Sequence, residues 1–395
     1  MIFQIIDDKK DCTGWFADGK LRAGSLPKNM TATWDWSPRL GDERVSLAKI
    51  YTQGKLLSDV CPPHLEDRWQ ARQRKMKAHI KSFVASKVNM SDICFYELVP
   101  PQDIQHYYQT LNEITEWIVG NHQRPMNYSF LHDLMITCRE ISKQEVQIDW
   151  PLLKKFANTD KKAMYLARSC WDRKNVVNYN IFGTITGRLG LHEGSFPILN
   201  LKKEIRDCVM PQNDLFVELD FNGAELRTLL NLSGHPQPTG DIHDWNQNNL
   251  FDDNISRDDA KTKIFAWLYN PTSRVIESDY YDKTKVLEKH YADGVVTTPF
   301  RRKIPSDDFH ALNYLVQSTS SDNFLTQANK IHRYLRGMKS NVAFLVHDSL
   351  VIDLHKSDKQ ELSNIIRLFQ DTTLGHFKTN VKIGKNLGKM EKIQW

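Results

Sequence analysis

Two aspartates sit where a folded chain can hold them rigidly. Phe216-Val-Glu-Leu-Asp220 reads as an apolar strand ending on a carboxylate, and Ala224-Glu-Leu-Arg-Thr-Leu-Leu reads as a helix that starts just after it. Phe344-Leu-Val-His-Asp348-Ser-Leu-Val-Ile352 reads as a β-hairpin, two apolar runs about a tight polar tip that carries Asp348. A strand-end carboxylate is a fixed oxygen donor for a hard cation such as Mg²⁺, which takes few protein ligands and keeps several waters. Two of them could converge on a metal pair, an arrangement that activates an attacking oxygen and stabilises a leaving one in phosphoryl transfer. Taken singly, an aspartate at a strand end or turn is more often an ordinary cap.

A third segment adds binding chemistry. Ser256 to Pro271 has Ser256 at a helix N-cap, Asp259 three residues later and Pro271 at the end. Within it Arg257, Lys261, Phe265 and Tyr269 recur every fourth residue and so form one slowly spiralling stripe. A nucleoside triphosphate laid along it would meet cations at its phosphates and rings at its sugar and base. The competing explanation is an amphipathic helix with both rings in a core and the cations solvated. Asn313 and Gln317 lie four apart in a helical run, where carboxamides can read base edges or simply face water. Arg68, Arg72, Arg74, Lys75, Lys77, Lys81 and Lys87 fall in a stretch without an acidic residue, as a phosphate-tracking helix requires and as many solvated faces also show.

These residues need strands, helices and turns to position them, and the chain has the means. Its 395 residues, 40% hydrophobic and 26% charged, can bury a sizeable core and exclude disorder as a description of the whole. Residues 1–60 read as a small β-rich appendage (MIFQII, TGWFADGKL, TATWDW), with a boundary at Pro62-Pro63. The pattern is helical from about 64 to 170, then turns mixed α/β, with Gly183, Gly187, Gly190 and Gly194 in a loop-rich stretch. No apolar run approaches the about 18 residues of a membrane span, and the start lacks a signal layout. Six scattered cysteines without a C-x-x-C read as reduced, in a cytoplasmic protein, with neither a disulfide framework nor a zinc site. The net charge of +5 permits a polyanionic partner without requiring one.

Order and spacing say more than any single segment. Thr186-Gly-Arg-Leu189, Asp220-Phe-Asn-Gly-Ala-Glu-Leu-Arg227, Asp241-Ile-His243, the Arg257/Lys261/Phe265/Tyr269 helix, Gln317-Ser-Thr-Ser-Ser-Asp322 and Val346-His-Asp348 follow one another in that order. The series resembles the polymerase region of family A DNA polymerases, the bacterial polymerase I type, and most of all their phage versions. It covers roughly 175–395, with a looser match over 64–170.

That resemblance implies an α/β right-hand polymerase with an antiparallel-sheet palm, helical fingers and a helical thumb. The expected spans are 1–60 appendage, 61–165 thumb and part of the palm, 166–235 palm, 236–310 fingers and 311–395 palm. The implied activity is template-directed addition of dNTPs to a primer 3′-hydroxyl. Asp220 and Asp348 would bind two catalytic Mg²⁺ ions. Glu225 with Tyr269 would exclude a 2′-hydroxyl, Arg257, Lys261 and His243 would hold the triphosphate, and Phe265 would lie against the incoming sugar. Arg188, Asn313, Gln317 and His347 would touch the primer–template. Arg72, Arg74, Lys75 and Lys77 would grip the duplex backbone, giving sequence-neutral, salt-dependent affinity. Residues 1–60 are too short for the family's proofreading domain and hold no Asp-x-Glu motif, so no exonuclease activity is expected. A separate exonuclease or processivity factor is an expected partner, and the host cytoplasm the expected location for a phage product.

The chain departs from the family pattern at Ser349, where a glutamate is usual, at Asn270, where a glycine is usual, and at Phe309, where an arginine is usual. The stretch after Pro197 is also short. Three rivals remain open. A single-subunit RNA polymerase shares His347-Asp-Ser349, but Glu225 after Asp220 favours deoxynucleotides. A catalytically dead DNA-binding scaffold has no need to keep both aspartates with Arg257 and Lys261. A Mg²⁺-dependent nuclease has no use for the Arg/Lys/Phe/Tyr stripe.

Overall fold

The computed structural model describes residues 1–7, 14–40, 44–90, 93–171, 173–251, 255–270, 273, 276 and 278–394. The chain divides into two compact units, 1–140 and 141–395.

In the first unit, strands β1 (Phe3–Ile5), β2 (Trp15–Ala17) and β3 (Lys20–Arg22) form an antiparallel meander. Two long helices follow, α1 (Pro63–Ala85) and α2 (Pro101–Asn121). Pro63 opens α1, a position where the missing N–H costs nothing. Leu65, Trp69 and Met76 of α1 and Ile104, Tyr108, Leu111, Ile114 and Ile118 of α2 repeat at helical spacing. They bury one core together with Ile6 and Phe16 from the β-rich start. The cations of α1 lie mainly off this core. Lys75 Nζ pairs with Asp103 at 2.6 Å, Arg68 pairs with Glu113, and Arg74 and Lys77 are exposed.

The second unit is organised by a five-stranded antiparallel sheet. Its strands are β4 (Leu215–Phe221), β7 (Asn341–Val346), β8 (Ser349–Leu354), β9 (Thr379–Gly384) and β10 (Glu391–Ile393), in the order β7-β8-β4-β9-β10. In β4, Phe216, Val217, Leu219 and Phe221 are buried while Glu218 and Asp220 are only half-buried. Around Glu218 and Asp220 the sheet is thus covered on one face and more open on the other, whereas β7 and β8 are buried on both faces. The helix at Leu362–Gln370 covers the closed face through Leu362, Ile365, Ile366 and Phe369, and Phe369 stacks on Phe221 with centroids 4.2 Å apart.

Between β4 and β7 come α3 (Ala224–Leu232), α4 (Ile242–Leu250), α5 (Arg257–Tyr269) and α6 (Lys283–His290). A short hairpin, β5 (Val295–Thr297) with β6 (Lys303–Pro305), and the long helix α7 (Ala311–Tyr334) complete the insertion. Ser256 caps α5 by accepting from the Asp259 N–H, as expected. Pro271 lies outside the described residues.

One expectation is corrected. Cys61, Cys138, Cys170 and Cys208 are free thiols, but Cys94 is disulfide-bonded, so the set is not wholly reduced. Sequence spacing alone carries no sign of this, because a cystine depends on which distant segments fold together. Cys12 lies outside the described residues. Among the described residues, no helix is long and apolar enough to cross a membrane.

Candidate active site

The ladder fixes the two aspartates side by side. Asp220 pairs in register with Ser349 on β8 and with Asn380 on β9. Asp348 occupies the two-residue tip between β7 and β8, beside His347, whose φ is 55°. A two-residue hairpin favours that left-handed backbone, yet a non-glycine residue adopts it at a cost, so the tip is a strained turn held by the paired strands on either side. Tyr179 braces the same hairpin. Its hydroxyl donates to the Leu345 carbonyl and accepts from the Leu345 N–H, both at 2.8 Å.

Among the described residues neither carboxylate is held in a salt bridge, and the nearby cations only partly offset the cost of burial. Burial, then the nearby charges of Glu218 and Asp348, push Asp220 up from 3.8 to about 6, although Asn380 Nδ2 donates to it at 3.4 Å and Lys382 lies close enough to oppose the shift. Asp348 is also raised, chiefly by burial and further by Glu225, with Arg188 and His347 opposing. Anionic oxygens that are partly desolvated and mutually repelling are the donor set a hard cation prefers. Among the described residues no group of three or more His, Cys, Asp or Glu side chains is gathered as a metal cage. Two carboxylates still suit Mg²⁺, which completes its shell with water and substrate phosphate.

Beside them lies a satisfied cluster. Arg188 Nη2 donates to Glu225 Oε1 at 2.5 Å, and the Tyr269 hydroxyl donates to Glu225 Oε2. Glu225 comes from the first turn of α3, where an acid is favoured by the helix dipole, and Tyr269 from the last turn of α5. Burial and the Glu225 carboxylate push the Tyr269 phenol well above its usual range. The core side of α5 is Ala260, Ile264, Trp267 and Leu268; of the stripe, Phe265 also packs against that core, while Arg257, Lys261 and Tyr269 stand away from it. Arg257, Lys261 and Tyr269 are exposed, and half-buried Phe265 stacks on Tyr269 at 6.1 Å. His243 is buried, with its ring 6.1 Å from Phe265, and burial followed by the Lys261 charge lowers its pKa. Its Nδ1 has no partner among the described residues. Arg257 is engaged, with Nε donating to Asp244 at 2.6 Å and Nη2 to Asp241 at 2.9 Å.

The structure therefore draws Asp220, Asp348, Arg188, Glu225 and Tyr269 into one cluster and sets Lys261, Phe265 and His243 together near it. Asn313 and Gln317 stand one turn apart on α7, half-buried, and Asn313 Oδ1 has no partner among the described residues. Arg72, Arg74, Lys75 and Lys77 belong to the first unit.

Three supports escaped the sequence reading. Arg227 is 0% exposed and donates to the backbone oxygens of Asn222, Pro238 and Gly240 and to Asn222 Oδ1. It thereby fixes the turn that follows Asp220 against the start of α4, and burial lowers its pKa to about 10. Arg302, from β5–β6, makes two bonds of 2.9 and 2.6 Å to the fully buried Asp322 of α7. Gly187 rests on that guanidinium. With φ at +79°, a Cβ there would stand 2.5 Å from Arg302 Cζ, which explains why glycine precedes Arg188. Lys382 Nζ pairs with Glu218 at 2.5 Å on the open face. A glycine before a site arginine was the one local signal; the arginines' partners are set by tertiary contacts.

No protein-family model matches the chain. A DNA polymerase of Bacillus phage SP01 is 24% identical over 298 residues, 55% of this chain and 32% of that protein. The chain thus spans about a third of that relative's length. Among solved structures, the POL domain of Pol1 from M. smegmatis, in complex with DNA primer-template and dNTP, matches with a TM-score of 0.56. It shares 14% identity, over 74% of this chain and 76% of that one. The chain has the fold of that polymerase domain, mixed α/β around an antiparallel sheet, as the motif series implies.

Proposed function

We propose that this chain is a template-directed DNA polymerase that adds dNTPs to a primer 3′-hydroxyl. The observation that carries the reading is the pairing of two carboxylates whose pKa is raised mainly by burial, Asp220 and Asp348, with a Glu225 already engaged by Arg188 and Tyr269. The phage relative and the matched polymerase domain support it. In this reading the five-stranded sheet belongs to the palm (166–235 and 311–395), α4 to α6 to the fingers (236–310), and α1 to the thumb.

Asp220 and Asp348 would hold two Mg²⁺ ions. When bound, the metal lowers the pKa of the primer hydroxyl and offsets charge at the α-phosphate. The remaining work falls to the protein. Lys261, exposed on α5, would bind the triphosphate, with Arg257 joining once phosphate oxygens replace Asp244 and Asp241 as its acceptors. Phe265 would lie against the sugar. Glu225 and Tyr269, already hydrogen-bonded to each other, would leave no room for a 2′-hydroxyl. Arg188, Asn313, Gln317 and His347 would orient the primer–template terminus. Arg72, Arg74, Lys75 and Lys77 would supply salt-dependent contacts to the duplex backbone. Ser349 occupies the register position opposite Asp220 without adding charge, so this chain would work with two acids at the sheet.

Primer extension on a recessed template with Mg²⁺ and dNTPs, with EDTA and NTP controls, tests the reading. The expected result is metal-dependent extension with dNTPs and far less with NTPs. Tight primer–template binding without extension would contradict it and favour a scaffold.

A further inference from the structure

Helix α5 ends without the left-handed residue that usually closes a helix. Asn270 follows Tyr269 with φ −104° and ψ 104°, and backbone N–H groups reach the Trp267 carbonyl at 3.3 Å and the Asn270 carbonyl at 3.2 Å. Lys283, the first residue of α6, adds a charged donor to both. Its Nζ donates to the Trp267 carbonyl at 2.5 Å and to the Asn270 carbonyl at 3.2 Å. The same ammonium lies 3.9 Å from the Trp267 ring centroid. A cation at a helix C-terminus is favoured by the helix dipole and over an indole face by its quadrupole. At the N-terminus of its own helix, the same cation is disfavoured. The placement therefore serves α5, and it is kept although burial lowers the ammonium to about 8.

The two residues before Lys283 extend the clasp. The Tyr281 hydroxyl donates to Asn246 Oδ1 of α4 at 2.7 Å, and the Asp282 N–H donates to Ser233 Oγ, just past α3, at 3.3 Å. Tyr281-Asp282-Lys283 thus ties α3, which carries Glu225, to α4, which carries His243, and to the end of α5, which carries Tyr269. Tyr269 is two residues from one carbonyl that Lys283 holds and adjacent to the residue bearing the other.

We infer that Lys283 is a positioning residue for sugar selection: by capping α5 it fixes the Tyr269 hydroxyl on Glu225 and so sets the floor of the pocket that admits deoxyribose and refuses ribose. The inference rests on the polymerase reading above. Lys283 touches no substrate in this account; it acts through Tyr269.

The test compares kcat/KM for dATP and ATP on one primed template in wild type, Lys283→Met and Lys283→Arg, with thermal midpoints measured alongside. Lys283→Met keeps the aliphatic stem and removes charge and donors. It is expected to raise the ATP:dATP ratio about tenfold, the scale of one lost charge-assisted hydrogen bond, with KM for dATP changing more than kcat. Lys283→Arg returns a cation and is expected to restore most of the selectivity. A purely structural role would lower the midpoint and reduce use of both nucleotides together, leaving the ratio unchanged. That result, or an arginine variant as permissive as the methionine one, overturns the inference. If Lys283→Met does not fold, Lys283→Gln is read by the same ratio. Wild-type protein that extends no primer overturns the polymerase reading, and the inference with it. Selective wild type with an unchanged Lys283→Met overturns the inference alone.

Discussion

The sheet side and the helix side of the site are built on opposite principles. On the sheet, backbone ladders fix Asp220 and the hairpin that carries Asp348, and nearby cations only partly offset the cost of burying their charges. On the helices, Glu225 is fixed by side chains, and both its oxygens are already occupied by Arg188 and Tyr269. Rigid main-chain support allows unfavourable charge to persist, because strand pairing and the Phe216, Leu219 and Phe221 core outweigh it. Helix-borne groups lack that support and hold their geometry through mutual satisfaction. In the proposed reading the first arrangement would receive cations and the second would refuse a ribonucleotide.

Substitutions can break this contrast at either side. The largest effect is expected at the sheet. Asp220→Ala should cost at least the about 10²–10³-fold in extension rate that loss of one electrostatic group at a reacting centre costs. Duplex affinity, measured by titration, should change little, whereas parallel loss of both would mean that Asp220 holds the fold rather than the reaction. On the helix side, Glu225→Ala should leave extension with dNTPs largely intact while raising use of NTPs about 10–100-fold, the scale of hydrogen bonds to a charged group. An unchanged NTP:dNTP ratio would remove Glu225 from sugar selection.

A smaller effect, on stability, is expected where the two sides meet. Gly187→Ala should destabilise by about 1–3 kcal/mol in denaturant unfolding, from its positive φ and its contact with Arg302. Wild-type stability there would mean that the loop shifts freely.

The smallest effect is a pH dependence. Asp220 has a folded pKa of about 6, above its ordinary 3.8, so the native state binds this proton more tightly than the unfolded chain. In metal-free buffer its contribution to stability is therefore greatest below about pH 4, falls as pH rises through about 6, and stands as a full cost above that. Asp220→Asn should melt a few degrees above wild type at pH 8 and lose the advantage near pH 4. An advantage that does not depend on pH would assign the change to packing.

Much of the site was legible because its signals are local. The strand at Leu215–Phe221, the helix that starts at Ala224, the Ser256 cap and the hairpin about His347-Asp348 all follow from periodicity or turn chemistry within a few residues. The stripe on α5 was also visible, although sequence could not decide which face met the core; Ile264 and Trp267 decide it. What stayed hidden depends on contacts between segments: Arg302 on Asp322, Arg227 on the carbonyls before α4, Lys283 on the end of α5, and the cystine at Cys94. An arginine or lysine announces its charge in sequence but not its partner, and here the partner determines whether it binds substrate or holds the site together.

The proposal that Asp220 and Asp348 form the metal-dependent centre of a polymerase is tested by single-turnover incorporation of the correct dNTP across a Mg²⁺ series, in wild type and Asp348→Asn, with both proteins saturated with primer–template. The account predicts a wild-type rate that climbs with Mg²⁺ to a plateau, and a variant that binds the duplex equally well yet stays near baseline throughout. A variant that retains the wild-type rate and Mg²⁺ response would contradict it.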